Sequence, residues 1–396
     1  MKILHVSSFF IPALGYQEVY LAKHQALLGH RVTVLTSTLT KPVIGEPHGK
    51  WEFRQGHCAG ETEFDGVTII RLPTLLLSRR VILRGLLREI RRIDPDWIIV
   101  HGLTTLIGVQ VCLWKRWNLI RGTLTVDDHT VYTCVRKDYV ARLFYACLRT
   151  MIVPMARKAC SDFVAITLET VRFLQEDLGI PRNLIRHVPL GADHIQFKFN
   201  EQSRSVNRRR FGFGDGDIVV LYAGKISRSK NVLELVTAVA SMRGRMPNIK
   251  LLIVGAGSEE YIASIEREVA KRPGAETAIQ IIPPVSNTEL SLLLSVGDIG
   301  CWPGDESIVH IEAMAVGLPI IIKNLESLRE RVQWRNGLLT DGTVPDIVQR
   351  LTTLAENEML RTEMGRRGRD AVESSLSWQV IARRFEENPR LLGVAQ

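Results

Sequence analysis

The chain has 396 residues, more than a single hydrophobic core usually organises, so two domains are expected. Apolar residues make up 45% of the sequence and charged residues 23%, a composition that excludes an intrinsically disordered chain. The formal net charge of +9 favours anionic partners, a class that includes phosphates, nucleic acids and anionic lipid headgroups.

The N-terminal sequence MKILHVSSFF lacks the apolar core and the cleavage site of a secretory signal peptide. The sequence contains no run of about 18 apolar residues that could form a membrane span. The six cysteines have neither the spacing of a zinc site nor that of a redox pair. We therefore expect reduced thiols, a cytoplasmic location and no membrane contact beyond a peripheral one.

The first half of the sequence alternates short apolar strands with amphipathic helices. A strand is predicted at residues 3–6, a helix at 18–28 and a second strand at 31–35. Further strands are predicted at 67–71, 97–100, 123–126 and 163–166. This alternation predicts a parallel sheet with helices on both faces.

A polar and basic stretch at 198–210 is interpreted as an interdomain linker, after which the alternation starts again. Strands are predicted at 218–222, 249–254, 278–282, 299–302 and 319–323, with helices at 232–242, 287–295 and 311–316. The predicted domains are therefore 1–197 and 198–376. A last helix at 377–392, with Ser377 as its N-cap, is expected to pack back on the first domain.

The first chemical pattern lies where a predicted strand runs into Gly224, followed by Lys225 and Lys230 on a loop and by a helix start. Glycine lets the backbone approach a ligand, and a helix N-terminus offers N–H groups to an anion. Two lysines beside that terminus could hold a diphosphate. The alternative is a pair of solvated loop lysines.

The second pattern is WPGDESIVHIEAMAVGLP at 302–319, in which a strand enters a Pro-Gly turn and then a helix that carries Glu312. Carboxylates near a helix start suit the hydroxyls of ribose or a hexose, because ionised carboxylates accept charge-assisted hydrogen bonds. The alternative is that the acidic residues only complement the helix dipole.

Several further segments extend these two patterns: FFIPALGYQE, LGHRVTVLTS, DPDWIIVHG, VAITLETVRFL, GIPRNLIRHVPLGAD, YAGKISRSKN and LLIVGAGSEE. In this order, they resemble the family 4 glycosyltransferases over almost the whole chain. The resemblance implies the α/β GT-B fold, in which two Rossmann-like, doubly wound domains face each other across a cleft. It also implies a nucleotide-sugar donor, a polar acceptor, retention of anomeric configuration and no required metal or other cofactor.

The resemblance assigns roles to residues of the predicted second domain. Lys225, where the family most often has arginine, and Lys230 would hold the diphosphate and stabilise it as a leaving group. Glu312 matches the family glutamate that contacts the ribose hydroxyls.

Gly304 departs from the family, which often has a first glutamate at this position. Asp305 and Glu306 lie beside it and are expected to contact the donor sugar instead. Backbone N–H groups for the phosphates are expected from the next three residues, Ser307, Ile308 and Val309.

In the first domain, Gly15 falls in the family's glycine-rich loop after the first strand, although the family commonly has two glycines there. That loop is expected to approach the donor sugar and the acceptor from across the cleft. His129 matches a histidine that lies near the reacting sugar and is the candidate catalytic residue. The alternative is a loop histidine bonded to Asp127 or Asp128, and this short run is not sufficient evidence for a metal site.

Residues 78–92 mix arginine with leucine and isoleucine at near-helical spacing. Such a helix could lie on an anionic membrane surface, or it could pack on the sheet with a solvated arginine face. Residues 139–158 are also apolar and basic, and they are expected to pack against the first sheet.

These features predict a retaining glycosyltransferase that moves a hexose-type sugar from a nucleotide diphosphate to a glycan or lipid-linked acceptor. Synthesis of cell-surface polysaccharide, lipopolysaccharide or glycolipid would suit an enzyme on the inner membrane face. The alternatives are a nucleotide-sugar 2-epimerase and a catalytically degenerate nucleotide-sugar-binding protein. A nucleic-acid-binding function is not expected, because the arginine cluster has no interleaved aromatic residues.

Overall fold

A computed structural model describes residues 1–12, 15–39, 56–77, 80–130, 138–272 and 274–387. The chain divides into two compact units, one formed by residues up to 190 together with the segment from 378, the other by residues 191–377. The boundary therefore lies at 190 rather than at the expected 197. Residues 191–197 belong to the second unit because Ala192 pairs with Ser377 and the Asp193 carboxylate caps the turn that follows it.

The first unit is built on a sheet of eight strands in the order β10-β9-β8-β7-β1-β2-β4-β3, with a separate two-stranded hairpin. Its strands are β1 (Lys2–Val6), β2 (Arg31–Ser37), β3 (Gly60–Phe64), β4 (Val67–Leu72), β5 (Thr74–Leu77), β6 (Arg80–Leu83), β7 (Trp97–His101), β8 (Thr123–Asp128), β9 (Asp162–Ala165) and β10 (Ile185–His187).

The helices of this unit that precede residue 190 are α1 (Gln17–Leu27), α2 (Leu86–Ile93), α3 (Leu106–Arg116), α4 (Tyr139–Cys147), α5 (Val153–Ala159) and α6 (Leu168–Glu176). A π-helical turn at Leu148–Ile152 joins α4 to α5. Polar side chains start several of these helices, as where Thr105 Oγ1 accepts from the Gly108 N–H at 2.9 Å.

The predicted parallel sheet is confirmed except at one edge, where β3 pairs with β4 in the antiparallel direction. Asp65 and Gly66 connect these two strands and both have positive φ values, as a tight hairpin turn requires. The inner strands are buried on both faces, which explains why apolar residues dominate them, although several buried polar side chains interrupt these runs.

The second unit has one sheet of six parallel strands in the order β13-β12-β11-β14-β15-β16. The strands are β11 (Ile218–Ala223), β12 (Ile249–Val254), β13 (Ile279–Ile282), β14 (Ile299–Trp302), β15 (Ile320–Lys323) and β16 (Gly337–Thr340). The helices are α7 (Glu201–Arg210), α8 (Val232–Met242), α9 (Glu259–Ala270), α10 (Asn287–Leu294), α11 (Val309–Val316), α12 (Glu326–Arg329), α13 (Val344–Ala355) and α14 (Glu358–Ala371).

Each sheet contains a point where the order of its strands reverses. In the second unit the chain winds from β11 outward to β13 and then returns to β14 on the other side of β11. In the first unit, β1 has β2 on one side and β7 on the other. The doubly wound α/β architecture predicted for both halves is confirmed, and ligands of such sheets bind at the carboxyl ends of the strands beside the reversal.

The linker predicted at 198–210 is wrong, because most of it forms helix α7 inside the second unit. Asn200 Oδ1 caps the helix by accepting from the Ser203 N–H at 2.7 Å. Arg204 and Arg208 then pair with the two carboxylate oxygens of Asp298, at 2.6 and 2.5 Å. These ion pairs to a residue distant in the sequence hold residues 201–210 in the second unit, although the composition of this segment is typical of a linker.

The single helix predicted over 78–92 is also wrong. Residues 80–83 form β6, and α2 begins only at Leu86 because Gly85 has a positive φ of 81° that separates strand from helix. Ser78 and Arg79 lie outside the described residues.

The last helix, α15 (Trp378–Glu386), belongs to the first unit. The Trp378 ring stacks on Tyr20 of α1, with centroids 5.5 Å apart, and Arg186 donates to the backbone carbonyl of Arg384 at 2.7 Å. Residues 388–392 of the predicted helix lie outside the described part of the chain. Among the helices that are described, none combines the length and the apolar character needed to cross a bilayer.

Candidate functional site

Two loops of the second unit meet at the switch point of its sheet, one following β11 and the other following β14. The Asp305 N–H donates to the Ser229 carbonyl at 3.0 Å, and Asn231 Nδ2 donates to the Pro303 carbonyl at 3.2 Å. Lys230 Nζ donates to the backbone carbonyl of Glu306. The structure therefore brings the two sequence patterns into one cluster, named here the switch-point cluster (residues 224–231 and 303–312).

The two lysines of this cluster have different surroundings. Lys225 is exposed, and its backbone carbonyl accepts from the Tyr222 hydroxyl at 2.6 Å. Lys230 is half-buried and held against the opposite loop, so it is not the freely solvated lysine of the alternative interpretation. Gly224, at the end of β11, has a φ of 141°, a conformation that side chains rarely adopt.

The close approach of the two loops explains the departure at Gly304. A Cβ atom at this position would overlap the backbone of Lys230 and the Ser229 carbonyl oxygen. A glutamate cannot occupy this site in the observed loop geometry. The acidic side chains follow directly instead: Asp305 is exposed, while the buried Oε1 of Glu306 has no hydrogen-bond partner among the described residues.

Helix α11 begins beside these loops. Ile308 is its N-cap, and Ser307 Oγ accepts from the Val309 N–H at 3.4 Å. The first turn of a helix has unpaired N–H groups and the positive end of the helix dipole, so this end is suited to an anion. The three residues expected to contact phosphate thus lie at the start of α11.

Glu312 lies in the first turn of α11 and is only 3% exposed. Within the described part of the chain its carboxyl group has no hydrogen-bond partner, and burial raises the pKa of Glu312 to about 8. The sequence predicts an ionised carboxylate here. The raised pKa instead favours a protonated carboxyl group at neutral pH.

The sequence patterns assigned no role to two residues here: His310, which lies within the cluster, and Arg331, which lies outside it and contacts it. Arg331 is buried, and its guanidinium donates to the Ser307 carbonyl and to His310 Nδ1, the latter at 2.9 Å. Burial and the neighbouring charges of Arg331 and Lys230 hold the pKa of His310 well below its usual range. His310 is therefore neutral, with its proton on Nε2, and Arg331 links Ser307, just before α11, to His310 in the first turn of that helix.

In the first unit, His129 follows β8 and its Nε2 lies 2.8 Å from Asp127 Oδ2. Asp127 is fully buried, and the same oxygen accepts from His101 Nδ1 at 2.9 Å and from Gln17 Nε2 at 3.3 Å. The carboxylate of Asp128 is used differently, since it accepts from backbone N–H groups of Leu103 and Thr130. The loop histidine bonded to Asp127 is thus the observed geometry, and Nδ1 of His129 makes no hydrogen bond to the described residues.

The electrostatics at His129 favour its charged form. Burial alone would lower the pKa of His129, but the negative charge of Asp127 and its hydrogen bond outweigh burial and raise the pKa to about 9. Glu18 and Asp128 add to this effect. In turn the two imidazoles hold the pKa of Asp127 well below its usual range in spite of its burial.

The polar atoms of His101, Asp127 and His129 lie within 4.8 Å of one another, a grouping whose composition could suit a metal ion. Both imidazoles, however, are placed to donate to one and the same Asp127 oxygen. Because the three side chains are already hydrogen-bonded to one another in this way, these residues are not assigned as metal ligands.

Gly15 lies between the end of β1 and the start of α1, with a φ of 58°. Its N–H donates to the Pro12 carbonyl at 3.4 Å, and Tyr16 is the N-cap of α1. The structure therefore places Gly15 at the switch point of the first sheet, two residues before Gln17, which begins α1 and donates to Asp127.

Comparison with known proteins agrees with the fold. Residues 19–195 match the family model described as Glycosyltransferase Family 4, and residues 203–371 match the model described as Glycosyl transferases group 1. The chain is 30% identical to a D-inositol 3-phosphate glycosyltransferase of Nocardioides, over 97% of its own length and 87% of the relative's.

A second relative is the GDP-mannose-dependent alpha-(1-6)-phosphatidylinositol monomannoside mannosyltransferase of Mycobacterium tuberculosis. It is 27% identical over 52% of this chain and 56% of the relative. In this and similar matches the chain spans only a little more than half the length of the curated relative.

Two solved structures share the fold. A glycosyltransferase from Rickettsia africae superposes with a TM-score of 0.75 at 14% identity, over 100% of this chain and 99% of that one. Anabaena HepE in complex with UDP superposes with a TM-score of 0.72 at 15% identity, over 98% and 99%. The two family models and the shared fold place the chain among glycosyltransferases of the GT-B class. More narrowly, the chain belongs to the family 4 glycosyltransferases.

Proposed function

We propose that this protein transfers a hexose-type sugar from a nucleotide diphosphate to a glycan or lipid-linked acceptor, with retention of anomeric configuration. The observation that carries the proposal is the switch-point cluster, which combines Lys230 bonded across the two loops, the start of α11 and the buried carboxyl group of Glu312. Cations beside a helix N-terminus suit a diphosphate, and a carboxyl group one helical turn away suits ribose hydroxyls.

The leaving group gains negative charge as its bond to the sugar breaks, so groups that meet this charge lower the barrier. Lys225, Lys230 and the N–H groups at 307–309 are assigned to the diphosphate, and Glu312 to the ribose. Asp305 and Glu306 are assigned to the donor sugar. In the first unit, Gly15 and His129 are assigned to the sugar and the acceptor, with His129 as the catalytic residue.

Because Lys225, Lys230 and α11 supply positive charge, the proposal requires no divalent metal ion or other cofactor. The donor class is supported by two similar proteins, one solved with UDP and the other named for its use of GDP-mannose. A lipid-linked acceptor is supported by the second of these names, since that relative acts on a phosphatidylinositol mannoside.

Peripheral contact with an anionic membrane is part of the same proposal. Leu75, Leu76 and Leu77 of β5 are 50%, 42% and 63% exposed, and Tyr139 and Val140 of α4 are 81% and 69% exposed. These two elements adjoin, because Arg80 of β6 stacks over the Phe144 ring of α4 at 4.4 Å. Apolar side chains interspersed with arginine suit the cytoplasmic face of an inner membrane, where a lipid-linked acceptor would lie.

The proposal is tested by incubating the protein with a panel of UDP-, GDP-, ADP- and dTDP-sugars and following both thermal stability and product. A bound donor raises the midpoint of thermal unfolding by mass action. Transfer to an added glycan or glycolipid extract, undiminished by EDTA, supports the proposal. An epimer formed from the donor alone identifies the 2-epimerase, and binding without turnover on any acceptor identifies the degenerate protein.

The Lys230→Ala variant tests the cluster directly. We expect a loss of at least about 1.5 kcal/mol in donor binding, roughly tenfold in Kd, because a charge-assisted contact is removed. Lys271→Ala is the matched control, since Lys271 is exposed in the same unit and pairs only with Glu268 among the described residues. A Lys230→Ala protein with wild-type donor affinity would remove Lys230 from the diphosphate site.

A further inference from the structure

Five polar side chains form an unbroken hydrogen-bonded row across the first sheet, beside its switch point. Gln25 Oε1 lies 2.6 Å from His5 Nε2, and His5 Nδ1 lies 3.0 Å from His101 Nε2. The row continues from His101 through Asp127 to His129. We name these five residues the polar line.

The polar line follows from the order of the strands. His5 lies on β1, His101 on β7 and Asp127 on β8, and these three strands are neighbours. His101 and Asp127 are register partners, so their side chains project from the same face. Helix α1 packs over this face and supplies Gln25.

Four members of the polar line are buried, and only His129 reaches the surface, with 36% of its side chain exposed. Inner strands of a parallel sheet normally carry apolar residues on both faces. Burying polar side chains there costs free energy of folding, and their hydrogen bonds only offset that cost. Apolar side chains of similar volume often stabilise a folded protein equally well or better. Because hydrogen bonds at best offset this cost, we look for the use of the row at its exposed end, His129.

The hydrogen bonds determine where the protons lie. As an anion, Asp127 accepts from both imidazoles, so His101 has a proton on Nδ1 and His129 has one on Nε2. With Gln25 Oε1 facing it, His5 donates from Nε2 and accepts at Nδ1, which requires a second proton on His101. A half-turn of the Gln25 amide reverses both bonds and leaves His101 neutral. The polar line thus has two complete hydrogen-bonding states that differ by one proton.

We propose that the polar line is a buried support that keeps Asp127 ionised and fixes His129 with Nε2 inward and a protonated Nδ1 toward the ligand. This inference rests on the proposed function. His5, His101 and Asp127 are then positioning residues that touch neither donor nor acceptor. His129 is then a preorganised imidazolium that donates from Nδ1 to a ligand oxygen and does not give up this proton during the reaction.

The charges around His129 agree with this role. Asp127, Asp128 and Glu18 are the acidic groups that raise the pKa of His129, opposing the effect of burial. Burial and the neighbouring His101 lower the pKa of His5 to about 3, so His5 stays neutral and does not compete for the proton.

The decisive measurement is a pH titration of the ligand-free, full-length protein with nitrogen-15-labelled histidines, followed by NMR. His129, assigned by the loss of its signals in His129→Gln, is expected to carry protons on both nitrogens at neutral pH. His5 is expected to stay neutral with a single proton. A wild-type His129 that titrates at the ordinary histidine value of 6.5 overturns the proposal.

Two variants show whether the rest of the polar line matters. Asp127→Asn and His101→Gln should each lower the titration midpoint of His129, by at least about one pH unit for Asp127→Asn. His30→Gln is the matched control, because His30 pairs with Glu386 in the same unit and lies outside the polar line. An unmoved His129 midpoint in a folded His101→Gln protein contradicts the proposal.

The titration needs no turnover, so its outcome is independent of whether the protein transfers a sugar. Where transfer is observed, His101→Gln is expected to lower kcat about tenfold while KM for the donor changes by less than about twofold. The alkaline limb of its kcat profile should move to lower pH. A loss of kcat with an unchanged pH profile would mean that His101 has only a structural role and would overturn the proposal.

Discussion

The guanidinium of Arg331 donates to the backbone carbonyl of Ser307, the residue that leads into α11. This bond fixes the loop from which the N–H groups at 307–309 reach the donor phosphates in the proposed function. Its effect can be measured separately on stability and on ligand binding.

Arg331→Ala should weaken donor binding roughly tenfold and lower the free energy of unfolding by about 2–3 kcal/mol, since a buried charged donor is lost. Urea unfolding and donor titration measure the two effects. Arg329→Ala is the control, because Arg329 is exposed two positions away and bonds to Asn324. An Arg331→Ala protein that is less stable but binds the donor normally would separate Arg331 from the site.

Glu312 should release its proton when the donor binds. Its pKa of about 8 keeps the free carboxyl group protonated at neutral pH, whereas ribose hydroxyls that donate to it favour the ionised form. Below pH 8, therefore, up to one proton should be released per nucleotide sugar bound. Calorimetry in two buffers of different ionisation enthalpy measures this number, and Glu312→Gln should abolish the difference between the buffers.

The stability of the protein should also depend on Glu312. Its pKa is raised from an unfolded value of 4.5, so the stability it contributes is lost as the pH rises from 4.5 through about 8. Glu312→Gln is accordingly expected to stabilise the ligand-free protein above pH 8 while it weakens nucleotide binding. Equal stability of the two proteins at alkaline pH would contradict the assigned burial.

Two histidines of the first unit should act on stability in opposite pH ranges. The pKa of His129 is raised from 6.5 to about 9, so its contribution is complete below 6.5 and is lost as the pH rises through 9. The pKa of His5 is lowered to about 3, so stability is lost as the pH falls below 6.5 toward 3. Urea unfolding across this range should show both losses, and His129→Gln should flatten only the alkaline one.

Helix α7 should behave as part of the second unit. Arg208 is 3% exposed and pairs with Asp298, whose Oδ2 also accepts from the Val219 N–H at 2.7 Å. Arg208→Ala should lower the free energy of unfolding by about 3 kcal/mol, because the largely buried Asp298 carboxylate then keeps Arg204 as its remaining described ion-pair partner. Arg209→Ala, at an exposed neighbouring position, should change stability by less than about 0.5 kcal/mol.

Membrane contact should depend on the exposed leucines of β5. Leu76→Asp with Leu77→Asp is expected to reduce binding to vesicles that contain anionic lipid several-fold, measured by flotation, because apolar area is lost and negative charge is added. Leu27→Asp is the control, since Leu27 is 69% exposed at the end of α1. Equal flotation of the β5 and Leu27 variants would place the contact elsewhere.

The elements that were predicted correctly owe their signal to local patterns. Helix α8 and strands β12 and β14 begin and end where the apolar periodicity places them. Strand β3 was not predicted, because its residues are mostly charged and exposed at the sheet edge. Helix α7 was predicted as a linker because it is stabilised by ion pairs with Asp298, which lies far away in the sequence.

The candidate site divides in the same way. The sequence could predict Gly224, Lys230 and Glu312. Each belongs to a local pattern of a few residues: a glycine at the end of a strand, a lysine just before a helix, or a carboxylate in the first turn of a helix. Arg331 and His101 could not be predicted, since their partners lie more than 20 residues away in the sequence. His101 becomes a neighbour of Asp127 only because β7 lies beside β8.

The steric overlap at Gly304 also constrains how this chain can change over evolutionary time. A glutamate at 304 would have to be accompanied by movement of the backbone at Ser229 and Lys230, the segment from which Lys230 bonds to the Glu306 carbonyl. A single substitution of Gly304 by glutamate would therefore not restore the acidic arrangement that is usual in the family. Sugar preference in this lineage should change through Asp305 and Glu306, and any return to the family pattern should require paired substitutions in both loops.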